Sequence, residues 1–167
     1  RAGARRSLTM WRTSNEIDKF SVIRQIRATE TGGSSWCLTL GHGSVEALAE
    51  LVEESPNPTI GVAIDHEPED LAIRDEVVLW DDSPEGGVVG FGLVVGPPRV
   101  PEGGELMMPV VMLGFSADCL VPAELLRLVS PNLSFGGGVN PERLSAEQIQ
   151  ALNAGLRTMV QVSADAE

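Results

Sequence analysis

Carboxylates, two histidines and two strand-borne tryptophans are the side chains here whose type and spacing invite a chemical reading. Asp81 and Asp82 stand side by side, and a carboxylate pair can hold a metal ion or exchange a proton. Both adjoin Ser83-Pro84-Glu85, however, a polar turn cluster in which solvated carboxylates are the ordinary outcome. His42 precedes Ser44 by two residues, a spacing compatible with a base beside a nucleophile. An apolar pattern of helical period begins at Val45, so Ser44 reads more simply as the cap of that helix, its hydroxyl accepting from first-turn amides.

Signatures of other catalytic devices fail on spacing. Gly90-x-Gly92 is followed by Gly96, one residue too late for a dinucleotide-binding turn, and it lies within a strand-like run. The only lysine, Lys19, sits in the N-terminal segment, so no phosphate-binding loop of the lysine type exists. His42 and His66 lack the i, i+4 spacing of a zinc peptidase, and neither Cys37 nor Cys119 has a cysteine or histidine close by. No G-x-S-x-G elbow occurs. Gly136-Gly137-Gly138 offers amides to an anion, although a flexible loop is the simpler reading. The expectation is a protein that is not an enzyme and has no cofactor or metal. A small-molecule enzyme built on the acidic loop is the weakest alternative.

Aromatic residues make up 4% of the chain and tyrosine is absent, so each ring carries more weight. Trp36 lies in the strand-like WCLTL and Trp80 near the end of EVVLWD. Two indoles on neighbouring strands would make two walls of a slot for a planar base; the alternative is that both are core residues. Trp80 is the stronger candidate, because Asp81, Asp82 and Ser83 follow it and can supply hydrogen bonds to a base edge.

The elements that would position these residues follow from periodicity. Glu76–Asp81 and Gly86–Val95 read as two strands joined by the Asp82–Glu85 turn, and Pro97-Pro98 stops the second. Glycines 90, 92 and 96 suggest bulges or close backbone approach, as in a small barrel. Upstream, Trp36–Leu40 is a strand, Val45, Leu48, Leu51 and Val52 mark a helix, and Thr59–Asp65 is a second strand. Downstream, Leu106–Phe115 is a strand that Pro109 places at an edge or a bulge. Pro122–Leu128 is a short helix, and Ser145–Gln148 is a capping box that opens a helix with Ile149, Leu152 and Leu156 on one face. Strands and helices do not alternate regularly, which argues against a doubly wound sheet.

The chain has 167 residues and 43% hydrophobic content, enough for one domain with a core. Residues 1–33 read as a partly flexible extension, 34–162 as the domain and 163–167 as a frayed tail. No apolar run approaches the ~20 residues of a membrane span, and no secretory pattern opens the chain. Two distant cysteines suit a reduced, cytoplasmic protein. Charge is uneven: residues 1–27 carry seven basic and two acidic side chains, and residues 28–167 carry five and 22. A body at −17 repels polyanions at long range.

From Trp36 onward the chain resembles the EVE domain of the PUA-like superfamily, which includes YTH and ASCH domains. The resemblance rests on WCLTL with its following loop and helix, and on IRDEVVLW, similar to "I-x-x-G-D-x-V-x-L-W". It also rests on GVVGFGLV with Pro97-Pro98, similar to "G-I-x-G-x-G-x-V", and on LSAEQ at a terminal helix. Asp75-Glu76 replaces the usual Gly-Asp, and Gly41-His42-Gly43 replaces a polar, often lysine-containing turn. The resemblance implies an α+β fold, a mostly antiparallel curled sheet or pseudo-barrel with short peripheral helices. It further implies a pocket for a modified, flipped-out base such as 5-methylcytosine, in DNA more than RNA, within a restriction or defence system that supplies a nuclease or other effector. By that analogy Trp80 and Trp36 form the cage, Asp81 and Ser83 contact the base edge, and the His42 loop closes the pocket. The alternative is a protein-interaction or regulatory module that keeps the barrel without binding nucleic acid.

Overall fold

Period-two alternation of apolar residues sets the frame, and the computed structural model describes it for residues 34–41 and 43–165. His42, residues 1–33 and residues 166–167 lie outside the described residues, and with them the expected N-terminal extension. The strands are β1 (Ser35–Leu40), β2 (Thr59–Ala63), β3 (Glu76–Asp81), β4 (Gly87–Val94), β5 (Met107–Phe115), β6 (Val121–Pro122) and β7 (Glu142–Arg143). The helices are α1 (Ser44–Glu54), α2 (Ala123–Val129) and α3 (Ala146–Asp165).

One sheet runs in the order β2-β5-β4-β3-β1-β7, with β6 pairing β4. Every pairing is antiparallel except β1 with β3, which run parallel from Ser35 opposite Glu76 to Leu40 opposite Asp81. A parallel pair needs a crossover, and α1 with β2 supplies it. The fold is thus the expected α+β, mostly antiparallel curled sheet with peripheral helices. Two register shifts, at Leu79/Trp80 and at Phe91/Gly92, bend the sheet. Gly92 serves this close packing, since a Cβ there would stand 2.4 Å from the Val111 carbonyl oxygen.

Alternation divides the apolar residues between two cores. Trp36, Leu38, Val77 and Leu79 pack on one face with Met108, Val110, Phe115 and Leu48 of α1. Cys37, Val78, Trp80 and Phe91 pack on the other with Leu126 of α2 and Ile149, Leu152 and Leu156 of α3. The capping box forms as the sequence predicts: the Gln148 amide donates to Ser145 Oγ (3.1 Å), and the Ser145 amide donates to Gln148 Oε1 (2.8 Å).

Three expectations are corrected. Ser44 does not cap α1; Gly43 holds the N-cap position at φ 82°, with no side-chain cap, and Ser44 is the first helical residue. Its amide donates to the Gly41 carbonyl (3.1 Å), so a tight turn does the work of a hydroxyl. Pro109 sits in an interior strand, β5, between β2 and β4. It is tolerated because it lies just past the last paired residue of β4, where only its carbonyl is used, by the Val95 amide (3.0 Å). The tail expected to fray from 163 is helical through Asp165.

The sheet curls so that β1 and β2 approach without pairing. Asn140 fills that seam: its Nδ2 donates to the carbonyls of Thr39 (3.1 Å) and Ala63 (3.2 Å), and its Oδ1 accepts from the Thr39 amide (3.2 Å). One amide side chain stands in for the missing ladder bonds.

Candidate functional site

The parallel pairing of β1 with β3 decides where the chemistry-bearing residues go. Both strands end on the same side, with Leu40 opposite Asp81, and both chains leave there as loops. Between those loops and the first turn of α1 lies a pocket of about 490 Å³, lined by Leu40, Gly41, Gly43, Val45, Glu46, Asp81, Ser83 and Ala117. Its volume falls within the ~300–1,000 Å³ of small-ligand sites.

Asp81 organises the rim. Its Oδ1 accepts from the Ser83 amide (3.1 Å) and its Oδ2 from the Ser83 hydroxyl (3.1 Å), which folds the β3–β4 connection into a tight polar turn. A carboxylate has about four lone-pair positions, so two remain for a donor in the pocket. Ser83 keeps acceptor capacity on its hydroxyl. Glu46, in the first turn of α1, adds a second carboxylate, and no described lining residue is basic. Leu40, Val45 and Ala117 give apolar contact. Such a surface suits a planar ligand that presents amino or ring N–H donors at one edge. Behind the rim, burial, then the charges of Asp81 and Asp118, push the Cys119 thiol up to about 11.

The two tryptophans do not join this pocket or each other. Adjacent parallel strands carry paired residues on the same face; Trp36 pairs with Val77 and Trp80 with Thr39. The indoles therefore lie on opposite faces of the sheet, in separate cores. Trp36 is 3% exposed; its Nε1 donates to Asp75 Oδ2 (3.0 Å), and the Arg143 guanidinium lies 5.9 Å from the ring centroid. Trp80 is 7% exposed and already has a stacking partner, Phe135, with centroids 5.6 Å apart and planes at 22°. Gly136, at φ +66°, lies so close that a Cβ there would stand 2.6 Å from Trp80 Cδ1. The expected two-walled tryptophan slot is thus absent; period-two alternation forbids it once β1 and β3 are neighbours in this register. Of the five residues the sequence singled out, the pocket brings together Asp81 and Ser83; Trp36 and Trp80 stand apart, and His42 lies outside the described residues.

Sequence reasoning missed Phe135, Asn140, Glu142 and Ala117. A lone aromatic ahead of Gly136-Gly137-Gly138 was a readable signal for a loop that docks. Glu142 pairs with Cys37 across β7–β1, and its Oε1 is buried without a hydrogen-bond partner among the described residues. Burial, then the Glu142 charge, push the Cys37 thiol up to about 12, partly offset by a hydrogen bond from the Gly136 backbone.

No family model matches the chain, and no curated protein matches it in sequence. Among solved structures, one similar fold is a hypothetical protein from Leishmania major, at TM-score 0.56 and 12% identity, covering 80% of this chain and 99% of that one. The likeness is one of fold. Human THYN1 protein, solved in complex with 5-methylcytosine containing DNA, matches at TM-score 0.48 and 13% identity, covering 73% of this chain and 96% of that one.

Proposed function

We propose that this chain is a non-enzymatic reader of the EVE type, which receives a modified, flipped-out base of DNA in the pocket between the Gly41–Gly43 loop and the Asp81–Ser83 turn. The observation that carries the reading is that this one pocket gathers the two segments to which the EVE resemblance assigns base-edge contact and closure. In this reading specificity comes from the fit of the base edge against Asp81 and Ser83, with Leu40 and Val45 as apolar walls, rather than from stacking between indoles. The acidic body disfavours phosphates, so the basic residues of segment 1–27 or an effector partner such as a nuclease would supply backbone attraction. A role in restriction or defence follows from the same resemblance.

The test is fluorescence anisotropy of the full chain against DNA and RNA oligonucleotides carrying 5-methylcytosine, 5-hydroxymethylcytosine, N6-methyladenine or no modification, at two salt concentrations. One modified DNA should bind preferentially, and the preference should survive the higher salt although total affinity falls. Ser83→Ala and Asp81→Asn should erode the preference. Equal binding of modified and unmodified strands at both salts sinks the proposal. A second reading, an interaction module without nucleic-acid binding, is favoured by the sealed tryptophans and the −17 body; no oligonucleotide would then bind.

A further inference from the structure

A second cavity, of about 550 Å³, lies on the other side of the Gly41 turn, between α1 and β2. All five residues of β2 line it, together with Leu40 of β1, Leu48 and Leu51 of α1 and Met107 of β5. We propose that this groove receives a short extended cationic segment of a partner protein, which adds to β2 as an edge strand. The proposal goes beyond base reading and does not depend on it.

Three observations carry it. β2 is the terminal strand of the sheet. The Ile64 amide bonds the Leu106 carbonyl (3.0 Å) and the Met112 amide bonds the Pro58 carbonyl (2.9 Å), so even-numbered residues of β2 face β5. Thr59 and Gly61 consequently turn their N–H and C=O groups outward, into the groove. Natural sheets usually guard such an edge with a charge, a proline or a bulge; TIGVA has none of these.

The groove is apolar where side chains of an added strand would rest. Leu51 is 42% exposed at its rim, and Leu48, Leu40 and Met107 lie deeper. Its far end is closed, since Asn140 already holds the Ala63 carbonyl. Room remains for pairing along Thr59 to Gly61 only, which limits the guest to about three to five residues at ~3.3 Å each.

Charge selects the guest. Exposed Glu46, Glu50 and Glu54 line the solvent side of α1, no basic residue stands in its last turn, and among the described residues Glu105 is the only charged one lining the groove. A partner strand with Arg or Lys between its apolar residues meets complementary potential, and an acidic one is repelled.

The experiment titrates the full chain, observed by amide NMR, with three synthetic peptides: acetyl-Arg-Val-Arg-Val-Arg-amide, its Glu-for-Arg counterpart, and a Pro-for-Val version that lacks strand donors. The arginine peptide should shift and protect the Thr59 and Gly61 amides and bind at least about tenfold tighter than the other two, the worth of one to two hydrogen bonds. Gly61→Pro removes an outward N–H without costing a β2–β5 bond, and Leu51→Lys replaces the apolar rim with a charge that repels the guest; each should weaken binding about tenfold. Equal binding of all three peptides, or binding indifferent to both substitutions, overturns the proposal. So does protection of Thr59 and Gly61 before any peptide is added, since a second copy or the chain itself would then hold the edge.

Discussion

Replacing Asn140 with alanine should open the seam between β1 and β2. The side chain makes three hydrogen bonds of 3.1–3.2 Å, to the Thr39 carbonyl, the Ala63 carbonyl and the Thr39 amide. Each contributes about 0.5–1.5 kcal/mol net, and stranding a partly buried backbone group costs ~1–3 kcal/mol when water cannot replace the partner. Asn140 is only partly buried, so water can replace some of the lost partners and the summed loss is about 2–4 kcal/mol. For a domain of this size that lowers Tm by about 5–12 °C. Urea unfolding followed by circular dichroism measures the loss directly, and hydrogen exchange at the Thr39 amide reports whether it is local. Asn140→Asp is the sharper comparison: it keeps an acceptor for the Thr39 amide but turns a carboxylate toward two carbonyls, and should cost at least as much as alanine. A loss under about 1 kcal/mol in both variants, with Thr39 exchange unchanged, would refute the idea that this amide replaces the missing ladder.

Other consequences can be checked on the same material. Burial raises the Glu76 carboxyl from 4.5 to about 7, so the folded state holds this proton more tightly than the unfolded chain. Stability from this group is therefore full below pH 4.5 and is lost as pH climbs to about 7; after allowance for the water that still reaches the group, the loss is ~1–2 kcal/mol, and Glu76→Gln should flatten that slope in a denaturation series. Phe135→Ala removes the ring that covers Trp80 and should cost about 2–4 kcal/mol, with a red shift of tryptophan emission as water reaches the indole; an unchanged spectrum would deny the stack. Cys37 and Cys119, both buried and with thiols raised to about 12 and 11, should resist a thiol reagent at pH 8 in the native state and react only in denaturant.

Much of the architecture was legible because it is local. EVVLWD and GVVGFGLV alternate or run apolar between turn residues, and the structure places strands at Glu76–Asp81 and Gly87–Val94. The Ser145–Gln148 box needs four residues to be recognised, and it forms as read. Pairings between distant segments were not legible. β6 and β7 are two residues each, too short to show a period, and nothing in WCLTL announces that it runs parallel to EVVLWD. That single missing fact misplaced the tryptophans: with the register known, the parity of 36 against 77 sends the two indoles to opposite faces. The Asp81–Ser83 turn was readable because an aspartate two residues ahead of a serine folds locally. Its meeting with the Gly41–Gly43 loop was not, because the shared ends of a parallel pair arrange it.

The most direct test of where the base goes is an amide NMR map of the full chain titrated with the best-binding modified oligonucleotide and with its unmodified twin. The modified strand alone should shift Gly41, Gly43, Asp81, Ser83 and Ala117, leaving the indole N–H signals of Trp36 and Trp80 in place. Movement of the Trp80 indole signal with release of Phe135, and a silent Gly41–Ser83 rim, would contradict the assignment and return the site to the tryptophan.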